Sequence, residues 1–193
     1  MNKRETAARR RWMALAMGLA LGLALAACGG GTDRTKAQLR LVNASSGYAQ
    51  LDLRVDDQLR QGGVNYGGSA GYVEIDPDDT RTSVSSVGSA TALLSFTPSL
   101  SARKFYTVLA YGGAGALRHA LLDDNISAPD TGRALLRVLN TASDAGALDI
   151  YLTTGDEPLS GAVPVQAGAA FGTLGSWITV DSANWRLRVT AAG

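Results

Sequence analysis

The sequence predicts an all-β protein: two tandem immunoglobulin-like β-sandwich repeats, the second truncated at its C-terminal end. Three observations carry that prediction. Along short runs, apolar residues alternate with polar ones at a period of two, as in half-buried strands. Clusters of Asp, Asn, Gly and Pro punctuate those runs and read as turns. The chain also repeats itself: Ala37-Gln38-Leu39-Arg40-Leu41-Val42-Asn43 returns 97 residues later as Ala134-Leu135-Leu136-Arg137-Val138-Leu139-Asn140. Leu51-Asp52-Leu53 returns at the same offset as Leu148-Asp149-Ile150. An insertion near Gly155 to Gly161 moves the offset to 105, at which Tyr66-Gly67 matches Phe171-Gly172 and Tyr72 to Asp76 matches Trp177 to Asp181.

The N-terminal part is an address rather than a fold. Residues 1–27 carry a basic start with Lys3, Arg4 and Arg9 to Arg11, then sixteen weakly polar or apolar residues from Trp12 to Ala27. That run is shorter than the ~20 residues of a stable transmembrane helix and suits the apolar region of a signal peptide. It ends in Leu25-Ala26-Ala27-Cys28. The arrangement resembles a bacterial lipoprotein signal peptide and matches the lipobox at all four positions. The resemblance implies cleavage between Ala27 and Cys28 and lipid attachment at Cys28, where two or more acyl chains give durable anchoring. Gly29 then favours the outer membrane over the inner by the sorting rule of enteric-type bacteria. Arg9-Arg10-Arg11-Trp12-Met13 also forms a loose twin-arginine pattern, so either export route is open. Residues 28–36, with three consecutive glycines, read as a flexible tether.

The first repeat spans 37–126. Its expected strands are seven: Gln38 to Asn43, Leu51 to Val55, Gly71 to Asp76, Arg81 to Val87, Thr91 to Thr97, Lys104 to Tyr111 and Ala116 to Leu122. Residues 127–133, with Pro129 and Gly132, form a linker, and 134–193 form the second repeat. At the second offset Gly193 corresponds to Gly88, so this repeat stops after about four strands. The expectation is that the natural chain continues for roughly 35–40 residues, or that the first repeat or a partner completes the second.

The openings Leu39-Arg40-Leu41-Val42-Asn43-Ala44-Ser45 and Leu51-Asp52-Leu53-Arg54-Val55-Asp56, with their second copies, resemble a bacterial envelope family catalogued as domain of unknown function 4397. Leu148-Asp149-Ile150-Tyr151-Leu152 fits the family's second strand, whereas Tyr48 stands where the family often has Pro. The resemblance implies a fold and export. It brings no activity, catalytic residue or ligand.

Composition narrows the function classes. The 193 residues hold 18 Lys+Arg against 17 Asp+Glu, but five of those cations and one acid precede Cys28. The remainder, 13 basic against 16 acidic residues, is faintly acidic and argues against nucleic-acid binding. One Cys and one His exclude a disulfide framework and a Cys/His metal cluster.

Candidate chemistry is sparse. Gly67-Gly68-Ser69-Ala70-Gly71 fits G-x-S-x-G, yet a strand rather than a helix is expected after Ser69, so a glycine-rich loop explains it better. His119 is the one candidate imidazole and reads as a surface or core-edge residue. The acidic groups Asp56-Asp57, Asp76 to Asp79, Asp123-Asp124 and Asp156-Glu157 lack the spacing of a calcium loop and read as turns. Arg40 with Asp52, and Arg137 with Asp149, fall on the expected outward faces of the first two strands of each repeat and would form cross-strand ion pairs if those strands pair. Asn43 and Asn140 are expected to satisfy loop backbone groups. Tyr66, Tyr72, Phe171, Trp177 and Trp185 are expected to pack on the core, with a carbohydrate- or peptide-binding platform as the alternative.

The combined expectation is a membrane-anchored envelope lipoprotein that binds or scaffolds, with no catalytic residue, cofactor or metal. Its partners are the membrane, through lipid on Cys28, and an envelope protein or glycan. A structural spacer is the main alternative and a hydrolase the weakest.

Overall fold

Thirteen strands and no helix make up the described residues of the computed structural model, which are 33–78, 81–155 and 157–193. The expected signal peptide, Cys28 and the expected cleavage site lie outside the described residues. In the first repeat the strands are β1 (Ala37–Ala44), β2 (Gln50–Val55), β3 (Gln58–Asn65), β4 (Val73–Ile75), β5 (Thr82–Ser86), β6 (Ala92–Phe96), β7 (Phe105–Tyr111) and β8 (Arg118–Asp123). They form two four-stranded sheets, ordered β4-β1-β7-β8 and β3-β2-β5-β6. β1 runs antiparallel to β4 and parallel to β7.

The alternation read from the sequence is the reason for this sandwich. Ala37, Leu39 and Leu41 of β1 point inward, as do Leu51, Leu53 and Val55 of β2, and Tyr106, Val108 and Ala110 of β7. With Val84 of β5 and Ile75 of β4 they form one buried cluster. Each fully buried Leu or Val contributes about 1.5–3 kcal/mol relative to exposure.

The structure adds a strand the sequence reading lacks. β3 contains Gly62-Gly63, and its pairing with β2 shifts register between Leu51 and Leu53. Two residues of β3 thus oppose Asp52, a β-bulge with Gly63 at a φ of 65°. The bulge breaks the period-two pattern, which is why the segment reads as a loop. The β2–β3 hairpin turns on Asp56 and Asp57, at φ of 50° and 62°. Both are left-handed, as a two-residue type I′ connection requires, and Asp tolerates that conformation.

The second repeat follows the same plan with β9 (Arg133–Leu136), β10 (Leu148–Thr154), β11 (Gln166–Ala169), β12 (Ile178–Asp181) and β13 (Trp185–Ala191). Its sheets are β12-β9 and β11-β10-β13, matching β4-β1 and β3-β2-β5 strand for strand. It therefore has five strands where four were expected. The extra one is β11, the counterpart of β3, and its bulge recurs opposite Asp149, with Gly168 at a φ of 60°. Among the described residues the second repeat has no counterpart of β6, β7 or β8.

One expectation fails outright. β1 and β2 lie in different sheets, as do β9 and β10, so Arg40 does not pair with Asp52, nor Arg137 with Asp149. The sequence shows that two strands are neighbours in order, and these neighbours cross between layers.

Candidate functional site

The two repeats share three internal devices. The first is the buried aspartate. Asp52 accepts the Gly63 N–H at 2.8 Å through Oδ1 and the Gly88 N–H at 2.9 Å through Oδ2. Asp149 does the same with Gly168 at 2.7 Å and Gly193 at 3.1 Å. The second is the asparagine at the strand end. Asn43 donates to the Tyr48 and Val64 carbonyls and accepts the Ser45 N–H. Asn140 donates to Gly146 and Ala169 and accepts from Ala142, so both satisfy loop backbone as the sequence suggested. The third is an arginine laid over an aromatic ring: Arg40 is 4.6 Å from the Tyr72 centroid and Arg137 is 4.4 Å from that of Trp177.

Around Arg40 the outer face carries a polar network. Its Nε donates to Thr107 Oγ1 at 2.7 Å, and Thr107 and Tyr72 both donate to Asp124 Oδ2. Burial, then the bond to Asp124, holds the Tyr72 pKa above its ordinary value. Thr107 and Asp124 come from segments far from Arg40 in sequence, and no local pattern marks them. These bonds converge on Thr107 Oγ1 and Asp124 Oδ2 and tie the side chains of β1, β7 and the flanking loops together, which reads as a sheet-fixing cluster.

The aromatic residues depart from expectation. Tyr66, Tyr72, Trp177 and Trp185 are exposed, and Phe171 is half-buried. None joins the buried core. Phe171 instead packs edge-on against Tyr111 of the first repeat, centroids 5.5 Å apart, with Arg118 at 5.1 Å from its ring. Their alternation with inward residues places these rings on outer faces and loops, where single-residue hydrophobicity gives no warning.

The hydrolase residues do not converge. Ser69 sits in the loop before β4, donates to the Ala70 carbonyl and bridges to Val42 of β1. Val42 pairs with Leu109 of β7, and Leu109 with Ala120 of β8. Ser69 and the His119 region are thus three inter-strand spacings apart, roughly 14 Å. His119 stacks on Phe96 with centroids 3.8 Å apart, and burial lowers its pKa. Asp123 accepts from the Asn125 backbone and side chain, which lowers its pKa. That is turn chemistry. Among the described residues no three of His, Cys, Asp and Glu gather as a metal-holding group.

What the geometry does offer is surface. Val189 and Leu187 of β13 are 51% and 57% exposed, whereas their counterparts Val84 and Thr82 in the first repeat are both at 0%. These residues face the inside of the second sandwich, opposite Ile150 and Leu152. Gln166, the counterpart of Gln61, keeps Oε1 buried without a hydrogen-bond partner, whereas Gln61 Oε1 accepts the Leu41 N–H at 2.7 Å.

Fold and surface together define an all-β, tandem-repeat protein of the immunoglobulin-like sandwich class. Residues 37–151 match the family described as Domain of unknown function (DUF4397), over half of the chain, and the protein belongs to that family. No curated protein matches the chain.

Proposed function

We propose that this protein is a membrane-anchored cell-envelope lipoprotein that acts as a binding or scaffolding module without catalytic activity. The carrying observation is Leu25-Ala26-Ala27-Cys28 at the end of a sixteen-residue apolar run. Lipid on Cys28 holds the chain to a membrane, the outer one favoured by Gly29, and residues 29–36 act as the tether. The exposed aromatic and apolar side chains of the second repeat support contact with an envelope protein or glycan, since patches of this kind on a folded surface mark interaction sites.

The test is crosslinking in intact cells, with a Cys28→Ser form on a cleavable export signal run beside the native chain. A dominant partner captured only from the anchored form is the expected result. Capture of no partner by either form overturns the reading and favours a structural spacer, whereas equal capture by both forms refutes the dependence on the lipid anchor.

A further inference from the structure

The two sides of the first sandwich are closed by different means. On one side, β3 bonds across to the facing sheet. Gln61 Oε1 accepts the Leu41 N–H at 2.7 Å, Gln61 Nε2 donates to the Gly71 carbonyl, and Arg60 donates to the Glu74 carbonyl at 2.7 Å. On the other side, β6 and β8 are the outermost strands of their sheets, and among the described residues no hydrogen bond joins them. Side chains alone close that seam. Phe96 of β6 stacks on His119 of β8 with the ring planes 16° apart, and the next residues in the same phase, Leu94, Leu117 and Leu121, pack on the core. His119 is the chain's one histidine, and it stands opposite Ala110 on the inward face of β8.

We propose that the Phe96–His119 stack is an acid-sensitive latch: uptake of a proton by the imidazole loosens the seam between β6 and β8, while the side tied by Gln61 and Arg60 stays closed. The seam offers the added charge no acidic partner. β5 and β6 carry no titratable side chain. On β7, Tyr111 packs on Phe171, and Tyr106 lies opposite Asp123 at the far end of the β7–β8 ladder. Asp123 is engaged by Asn125, and Arg118 is turned to the Phe171 ring. Burial makes the folded imidazole hold its proton less tightly than an unfolded one, so the closed seam is fully favoured above 6.5 and weakens as the pH falls below it. Local opening draws on the least cross-linked part of a fold, here an edge pair held by side chains. Opening would uncover Leu94, Phe96 and Leu121 and the outer edges of both sheets. The inference goes beyond the binding reading and depends on neither the lipid nor a partner.

The test is hydrogen–deuterium exchange of the full chain at about pH 7.5 and about pH 5, a window in which His titrates and ordinary carboxylates, with pKa values of about 4, stay ionised. Rates are corrected for the intrinsic pH dependence of exchange. Amides in the β5–β6 and β7–β8 ladders should lose about threefold or more of their protection at the lower pH, while those of the β1–β4 and β2–β3 ladders keep theirs. His119→Phe, which keeps a ring against Phe96, should abolish the loss. His119→Gln, which removes charge and ring together, should give the same protection at both pH values. Unchanged protection of β6 and β8 in the parent chain overturns the proposal, since the imidazolium would then stay stacked on Phe96 as a cation on a ring. A loss spread evenly over all these ladders overturns it too, as does a loss that persists in either variant.

Discussion

Replacing Asp52 by alanine tests the packing account at its most informative point. The side chain is 2% exposed and its two oxygens hold the bulge glycine of β3 and Gly88 beyond β5. A hydrogen bond to a charged acceptor is worth about 1.5–3 kcal/mol. Both glycine amides are only part-buried, so water recovers some of each loss, and we expect Asp52→Ala to cost about 2–4 kcal/mol. Asp149→Ala should cost less, about 1–2 kcal/mol. Its second bond, 3.1 Å long, goes to exposed Gly193. The assay is urea unfolding followed by far-UV circular dichroism, where the midpoint should fall with the slope unchanged. Thermal midpoints should drop by roughly 5–15 °C for Asp52→Ala. A change within about 0.5 kcal/mol of the parent would refute the claim that this carboxylate organises the bulge.

Two further outcomes follow from local geometry. A Cβ on Gly47 would lie 2.1 Å from the Ala114 nitrogen and 2.5 Å from the Gly113 carbonyl carbon. Backbone cannot yield as a side-chain tip can, so Gly47→Ala should cost about 3 kcal/mol or more. Gly113→Ala, whose Cβ meets nothing within 4 Å, should stay within about 0.5 kcal/mol in the same melt. His119 behaves as a pH probe. Its folded pKa lies below the unfolded value of 6.5, so the folded state binds the proton less tightly. The stability linked to neutral His119 is complete above 6.5 and declines as the pH falls through 6.5 towards the folded pKa. His119→Phe, which keeps a ring against Phe96, should flatten that part of the pH–stability curve; an unchanged curve would contradict the assignment.

The period-two alternation of Leu39-Arg40-Leu41 and Leu51-Asp52-Leu53 placed β1 and β2, and with them the inward face, because side-chain direction follows directly from strand geometry. The roles of Asn43 and Asn140 were legible for a related reason: an amide at the inward end of a strand has unpaired loop backbone within reach. β3 and β11 were not legible, since a glycine bulge interrupts the alternation in each. Nor was the layer in which each strand sits. Arg40 finds Thr107 and Asp124 rather than Asp52 because consecutive strands cross between sheets, a long-range choice that no local pattern records. Nor was the exposure of Leu187 and Val189 legible, since the same inward positions are buried as Thr82 and Val84 in the first repeat and burial depends on what packs above a strand.

The most direct test of the central claim is the covalent state of Cys28. The protein would be expressed from its full sequence, recovered from the membrane fraction and its N-terminal peptide weighed by mass spectrometry. The account predicts a chain beginning at Cys28, with diacylglycerol on the thiol and no trace of residues 1–27. A mature chain with a free Cys28 thiol, or one that retains residues 1–27, would contradict it.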